Sequence, residues 1–327
     1  MKAIQVTQFG GPDVLALNDL ADPTPGPGEI TIDVSHAAVG LVDIYFRQGA
    51  FKDLPGMAHP PFVPGLEVVG RVREVGAGVT DLRVGERVVS MSDGSGTGGY
   101  ASIFVAKAAF VLSIEASDID SALAVSVIPN AAMAYVALTS VARLQLGESV
   151  LVHGALGGFS AAFPGIAKQL GASRVVGTVR ASKLEAVANT LLPYDHIVDS
   201  GQLPDALNNE RFDVVIDPVG GVVRSHSFSL MQPGSRLIVA GNASGDWSHQ
   251  VKTNDLWLGS MTVTGYNAGA YLRKNPQLVQ PALRAALISV EAGLGEIVID
   301  TLTFDKAVQA HELMESRALN GRIVLVP

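Results

Sequence analysis

Residues 149–160 read Ser149-Val150-Leu151-Val152-His153-Gly154-Ala155-Leu156-Gly157-Gly158-Phe159-Ser160, a short apolar run that breaks into a glycine-rich turn. A helical segment follows to about Leu170, with Gly171 placed to stop it, and a second apolar run, Arg174 to Val179, comes next. Strand, glycine turn, helix and strand in one unit make a dinucleotide-binding pattern. The glycines let the backbone turn tightly and approach a pyrophosphate, whose charge is met by N–H groups and the positive end of the helix. Gly154, Ala155, Gly157, Gly158 and Phe159 are the candidate turn residues, with a tight structural βα turn as the alternative. Two residues depart from the ideal. Ser160 stands where the last glycine of the fingerprint lies, and Pro164 falls several residues into the expected helix, where, if truly interior, it would bend the chain at a cost of about 3 kcal/mol. Gly165, Ala161 and Ala162 are small enough to accommodate both.

Downstream, apolar runs at His196 to Asp199, Asp213 to Asp217, Arg236 to Ala240 and Met261 to Gly265 are separated by segments long enough for helices. With the first two runs they predict a doubly wound parallel sheet of the Rossmann kind. Upstream the grain differs. Ile30 to Val34, Val68 to Val75, Arg87 to Met91 and Tyr100 to Val105 are short Val/Ile-rich runs between Gly and Pro turns, which predicts a β-barrel-like domain. An amphipathic stretch, Pro276 to Ala292, and a last strand, Gly321 to Val326, close the chain and can return to the first domain.

Ligands of such sheets bind at the carboxyl ends of the strands, which singles out Asp217 and the Gly241-Asn242 pair, together with Asn130. Turn-forming roles are the alternative for Asp217 and Asn242. At the end of the second strand, Gly177-Thr178-Val179-Arg180-Ala181-Ser182-Lys183 carries no acid. NAD-selective sites usually place Asp or Glu there, so Arg180, Ser182 and Lys183 predict that NADPH is preferred, through its 2′-phosphate. A solvated helix start for Lys183 and a surface role for Arg180 are the alternatives.

At 327 residues the chain has room for about two domains. Its 48% hydrophobic and 17% charged residues exclude a disordered or coiled-coil chain. Lys+Arg 23 against Asp+Glu 31 leaves a net charge of −8, which argues against general affinity for nucleic acid or an anionic membrane surface. With no Cys there is no disulfide, thiolate nucleophile or cysteine-ligated zinc, and a cytoplasmic location is expected. Ala122 to Leu138 is mostly apolar, but Ser126, Pro129 and Asn130 interrupt it and it is short for a bilayer, so a buried helix is expected rather than a membrane span. The seven histidines show neither His-x-His nor His-Glu-x-x-His spacing.

Taken as a whole the chain resembles the zinc-independent medium-chain dehydrogenase/reductases, most closely the NADPH:quinone oxidoreductases, which include the zeta-crystallins. The resemblance rests on the residues from Val42 to Gly49, Pro64-Gly65-Leu66-Glu67-Val68-Val69-Gly70, Gly85-Glu86-Arg87-Val88, the residues from Gly147 to Gly154, the residues from Phe212 to Gly221, the residues from Gly241 to Gly245, Ala310-His311-Glu312 and the residues from Gly321 to Pro327. It implies an α/β protein with a discontinuous GroES-like β-barrel catalytic domain, residues 1–122 and 267–327, and a Rossmann domain, residues 123–266. It implies a nicotinamide in the cleft and a homodimer joined along the Rossmann sheet edge, through Met261 to Gly265. Where zinc relatives have Gly-His-Glu, this chain has Gly65-Leu66-Glu67, so no catalytic metal is expected.

Without a Lewis acid, the acceptor must stabilise the incoming charge itself, as a quinone or an α,β-unsaturated carbonyl does. The expected reaction is hydride transfer from NADPH to a quinone. The alternatives are reduction of a 2-alkenal or enone, and a nucleotide-binding protein whose redox activity is lost or altered. Tyr45 and Arg47 match the family positions Asp-x-Tyr-x-Arg as catalytic candidates, and Arg317 matches a basic cofactor position near the C-terminus. Packing is the alternative for Tyr45, tying down a loop for Arg47, and a surface charge for Arg317. Gly40 replaces the usual Asn, and Met133 a frequent Thr.

Overall fold

Along the chain the strands are β1 (Lys2–Val6), β2 (Leu15–Asp19), β3 (Glu29–Val39), β4 (Glu67–Val75), β5 (Arg87–Met91), β6 (Ile103–Lys107) and β7 (Val111–Ser113). They continue as β8 (Ser149–His153), β9 (Arg174–Val179), β10 (His196–Asp199), β11 (Phe212–Asp217), β12 (Met231–Val239), β13 (Thr262–Gly265), β14 (Ile299–Thr303) and β15 (Arg322–Val326). The α-helices are α1 (Leu41–Gln48), α2 (Ser121–Val136), α3 (Phe163–Gln169), α4 (Leu184–Val187), α5 (Gly221–Ser227), α6 (Thr253–Gly259), α7 (Ala268–Lys274), α8 (Val279–Glu291) and α9 (Ala307–Glu315). The structure, a computed structural model, describes residues 1–93, 98–317 and 319–327. Two compact units emerge, residues 1–129 with 272–284 and 298–327, and residues 130–271 with 285–297. Residues 285–297 thus group with the second unit, although the sequence reading assigned them to the catalytic domain.

In the first unit β1 and β2 pair antiparallel, and a seven-stranded sheet runs β14-β15-β3-β4-β5-β7 with β6 on β3. Only β14 and β15 in it are parallel. The C-terminal strand pairs with an N-terminal one, Ile323 opposite Val39 and Leu325 opposite Ala37. Alternating side chains of these strands, among them Ile30, Ile32, Val68, Val88, Phe104, Ile323 and Leu325, enter one buried cluster. Each fully buried side chain of this size contributes roughly 1.5–3 kcal/mol, which is why the chain ends stay together.

The second unit is the parallel sheet β10-β9-β8-β11-β12-β13. Every residue of β8 is buried, as a central parallel strand covered on both faces requires. The strand order reverses at β8, between β9 and β11, so the turn after β8 lies at the topological switch point where this fold class binds ligands.

Some expected boundaries shift. The Tyr100 run becomes β6 from Ile103, and β12 starts at Met231. The apolar helix runs from Ser121 through Val141, 21 residues, long and apolar enough to cross a membrane by length and composition; 72% of its most apolar window is buried inside the protein. Pro164 does not bend a helix. The segment begins as a 3-10 turn at Ser160–Ala162 and α3 opens at Phe163, so the proline sits in the first turn of α3, where its missing N–H is not needed.

Candidate functional site

Gly154 leaves β8 with φ +69, a left-handed conformation that glycine adopts without strain. The Ala155 N–H donates to the Thr178 carbonyl at 2.9 Å, fastening the turn to β9, and the Gly157 N–H donates back to the Gly154 carbonyl at 2.8 Å. Gly157 is exposed, and Gly158 is partly so. Phe159 packs edge-on against Phe163 with ring centroids 5.1 Å apart. Asn130, almost fully buried on α2, donates its Nδ2 to the Gly158 carbonyl at 3.2 Å, so it braces the turn. The Ser160 hydroxyl donates to the His153 carbonyl at 2.8 Å, satisfying the polar group that a glycine would not have brought.

His153 is wholly buried, with Nδ1 2.9 Å from the Thr178 hydroxyl and Nε2 2.8 Å from that of Ser227. Ser227 spends its proton on the Val223 carbonyl at 3.0 Å, so it accepts from Nε2–H while Nδ1 accepts from Thr178. Burial pushes the imidazole down to about 4, and it is neutral at physiological pH.

At the end of β9, Arg180 caps the 3-10 turn Ala181–Lys183, its carbonyl accepting from the Lys183 N–H at 2.8 Å. Arg180 and Ser182 are exposed and Lys183 partly buried. Burial lowers the Lys183 ammonium, and the Arg180 charge lowers it further, so the two cations act on each other. At the ends of β11 and β12 the arrangement corrects one expectation. Asp217 has no exposed surface; it accepts from the Val219 and Gly220 N–H groups at 2.9 and 2.8 Å and pairs with Arg224 Nε at 2.5 Å. Fully committed, it shapes the turn and anchors Arg224, rather than offering a carboxylate to a cofactor. Arg224 donates onward to the Gly241 carbonyl at 3.0 Å, linking the two strand ends. Gly241 is exposed; Asn242 is partly buried, and its Oδ1 accepts from the Ser244 hydroxyl at 3.1 Å.

In the first unit α1 carries Tyr45 and Arg47. Tyr45 is partly buried and meets Phe51 edge-on at 5.9 Å. Burial raises its phenol above the ordinary value, against the pull of the Arg317 charge. Arg317, exposed just beyond α9 with φ +56, therefore acts on Tyr45. Arg47 has no exposed surface and pairs with Glu315 of α9. That pairing ties α1 to α9, the loop-fastening role that was the alternative for Arg47. Sequence reasoning missed Asp43 and its neighbours. One Asp43 oxygen accepts from the Gly40 N–H at 2.8 Å, capping α1, and from the Tyr100 hydroxyl at 3.1 Å; the other accepts from the Gly65 N–H at 3.2 Å. Tyr100 also lies 3.3 Å from His311 Nε2. Burial raises Asp43 to about 6 and lowers His311 to about 3. The spacing of Asp43 three residues after Gly40 was the one available signal, since an acid at that place caps a helix.

Residues 26–116 match the profile of the alcohol dehydrogenase GroES-like domain, and residues 192–325 that of a zinc-binding dehydrogenase. A quinone oxidoreductase of Lama guanicoe is 30% identical over 100% of this chain and 97% of its own. The chain belongs to the quinone oxidoreductase family of medium-chain dehydrogenase/reductases. A human synaptic vesicle membrane protein VAT-1 homolog is likewise 30% identical, over 100% of this chain and 86% of its own. Among solved structures, Escherichia coli quinone oxidoreductase complexed with NADPH superposes with a TM-score of 0.83 at 25% identity, covering 100% of both chains. One profile's name raises zinc for a medium-chain dehydrogenase/reductase, and the donors present here do not fit it. There is no Cys, Leu66 replaces an imidazole, and Glu67 is held by Arg322 at 2.5 Å. Both Asp43 oxygens are engaged, and among the described residues no three His, Asp or Glu side chains are grouped to hold a metal.

Proposed function

We propose that this protein transfers a hydride from NADPH to a quinone without a metal. The observation that carries the reading is the end of β9, where Arg180, Ser182 and Lys183 fall within four residues and no acid stands between Gly177 and Lys183, beside a turn of the dinucleotide type. An acid there would hold ribose hydroxyls and repel a 2′-phosphate; a guanidinium, a hydroxyl and an ammonium attract one. The NADPH in the Escherichia coli relative supports the same choice. Gly154, Ala155, Gly157, Gly158 and Phe159 would hold the pyrophosphate, with Asn130, Gly241 and Asn242 bordering the dinucleotide. Bound NADPH supplies the hydride. A quinone spreads the arriving negative charge onto oxygen by conjugation, so a well-placed hydrogen-bond donor replaces a Lewis acid. Tyr45 is that donor in our reading: it matches the family position, and its phenol carries its proton at neutral pH, with burial acting in the same direction. Arg317 adds positive charge beside it.

A second reading, a dinucleotide-binding protein whose redox activity is altered, is motivated by the departures at Gly40, Phe159 and Ser160. Enone reduction on the same scaffold is the neighbouring chemistry. A panel of quinones and enones, followed by loss of NADPH absorbance, separates the three: turnover of quinones above enones supports the proposal, enone preference moves the substrate class, and tight NADPH binding without turnover favours the second reading. A homodimer along β13 and a cytoplasmic location complete the proposal. The exposed Trp257 and Leu258 on α6, just before that edge strand, support the dimer, and a monomer mass in light scattering would overturn it.

A further inference from the structure

The phosphate turn lacks its last fingerprint glycine, yet it is held by a side chain from elsewhere in the second unit. Tyr194, two residues before β10, directs its hydroxyl at two carbonyls of the turn, 3.1 Å from that of Ser160 and 3.3 Å from that of Ala155. Space for the ring comes from Gly177 in the middle of β9. A Cβ there would stand 2.7 Å from the Ala155 Cβ and 3.2 Å from Tyr194 Cδ1, closer than side chains pack without shifting. The Ser160 hydroxyl is meanwhile turned to the His153 carbonyl. Ser160 thus bonds back to the strand it leaves, while its own carbonyl and that of Ala155 share the single proton of the tyrosine hydroxyl.

We propose that Tyr194 is a positioning residue for the pyrophosphate turn, its hydroxyl pinning the carbonyls of Ala155 and Ser160 so that the backbone keeps the shape a dinucleotide needs. This rests on the reading of the turn as the dinucleotide site and adds a residue outside the glycine motif to it. Without the hydroxyl these carbonyls would turn to water. Burial raises the phenol well above its ordinary value, so the hydroxyl remains a donor throughout the physiological range. Because both dinucleotides share the pyrophosphate, the effect of Tyr194 must be blind to the 2′-phosphate, unlike that of Arg180.

Titration calorimetry of the purified full chain with NADPH, NADH and adenosine 2′-monophosphate, on wild type and Tyr194→Phe, tests this. The single lost hydroxyl should weaken NADPH and NADH by the same factor, about three- to tenfold. Adenosine 2′-monophosphate, which has no pyrophosphate, should bind within about twofold of wild type. Circular dichroism melts of both proteins accompany the titration, and Ser160→Ala serves as a second variant, which should weaken the two dinucleotides in parallel in the same way. Unchanged dinucleotide affinity in Tyr194→Phe, or equal weakening of adenosine 2′-monophosphate, would overturn the role assigned to Tyr194. Failure of wild type to bind either dinucleotide would instead overturn the reading of the site, and this inference with it.

Discussion

Replacing Asp217 by Asn removes a charge while leaving an oxygen to accept from the Val219 and Gly220 N–H groups. What it strips away is the partner of Arg224, whose Nε lies 2.5 Å from the carboxylate and whose side chain is only 10% exposed. Breaking a buried pair from one side leaves the other charge uncompensated and costs about 3–5 kcal/mol. Against a total stability on the order of 5–15 kcal/mol, that is a large fraction. With a urea slope at the upper end of about 1–3 kcal/mol per molar, the unfolding midpoint should fall by about 1 M or more. Far-ultraviolet circular dichroism in urea reads it. Asp217→Asn/Arg224→Met removes the orphaned charge and should recover at least half of the loss. A single variant costing less than about 1 kcal/mol, or a double variant no better than the single, would refute the argument that the pair is buried and mutually dependent.

Acid should destabilise the protein earlier than its carboxylates alone would. His153 and His311 have folded values near 4 and 3, below the ordinary 6.5, so the unfolded chain holds more protons as pH falls through 6.5 and stability drops. Asp43, raised from 3.8 to about 6, works in the opposite direction between those values. From about pH 7 to 5 the histidines each cost about 2 kcal/mol and Asp43 offsets about 1, a net loss of about 2–3 kcal/mol that urea midpoints at the two pH values will register. Chelation by EDTA should leave NADPH turnover within error, since the donors at Gly65-Leu66-Glu67 do not make a zinc site; activity lost to EDTA and restored by zinc would refute this.

The sheet of the second unit was legible because most of its strands hold an apolar run bounded by glycine or polar turns, although β12 opens, after Met231, on Gln232 to Arg236, and the turn after β8 was legible as a chain reversal from its glycines. The roles of the charged residues were much less legible. Asp217 stands at a strand end, where a carboxylate is open to a ligand, but Arg224 lies against it, and Arg47 matches a catalytic position while its partner Glu315 lies 268 residues away. Neither pairing leaves a periodic trace in sequence. Pro164 is accommodated for a local reason: the onset of α3 is delayed by a 3-10 turn, which places the proline in the first turn and not the interior. Tyr194 carried no motif at all, since its importance depends on the space that Gly177 leaves across β9.

The most direct measurement is kcat/KM for a quinone with NADPH and with NADH, on wild type and Arg180→Ala. Wild type should turn the quinone over and prefer NADPH. A charge-assisted hydrogen bond contributes roughly 1.5–3 kcal/mol, so the variant should lose about ten- to a hundredfold with NADPH while changing little with NADH. Absence of quinone turnover, a wild-type preference for NADH, or equal losses with both cofactors would contradict the account.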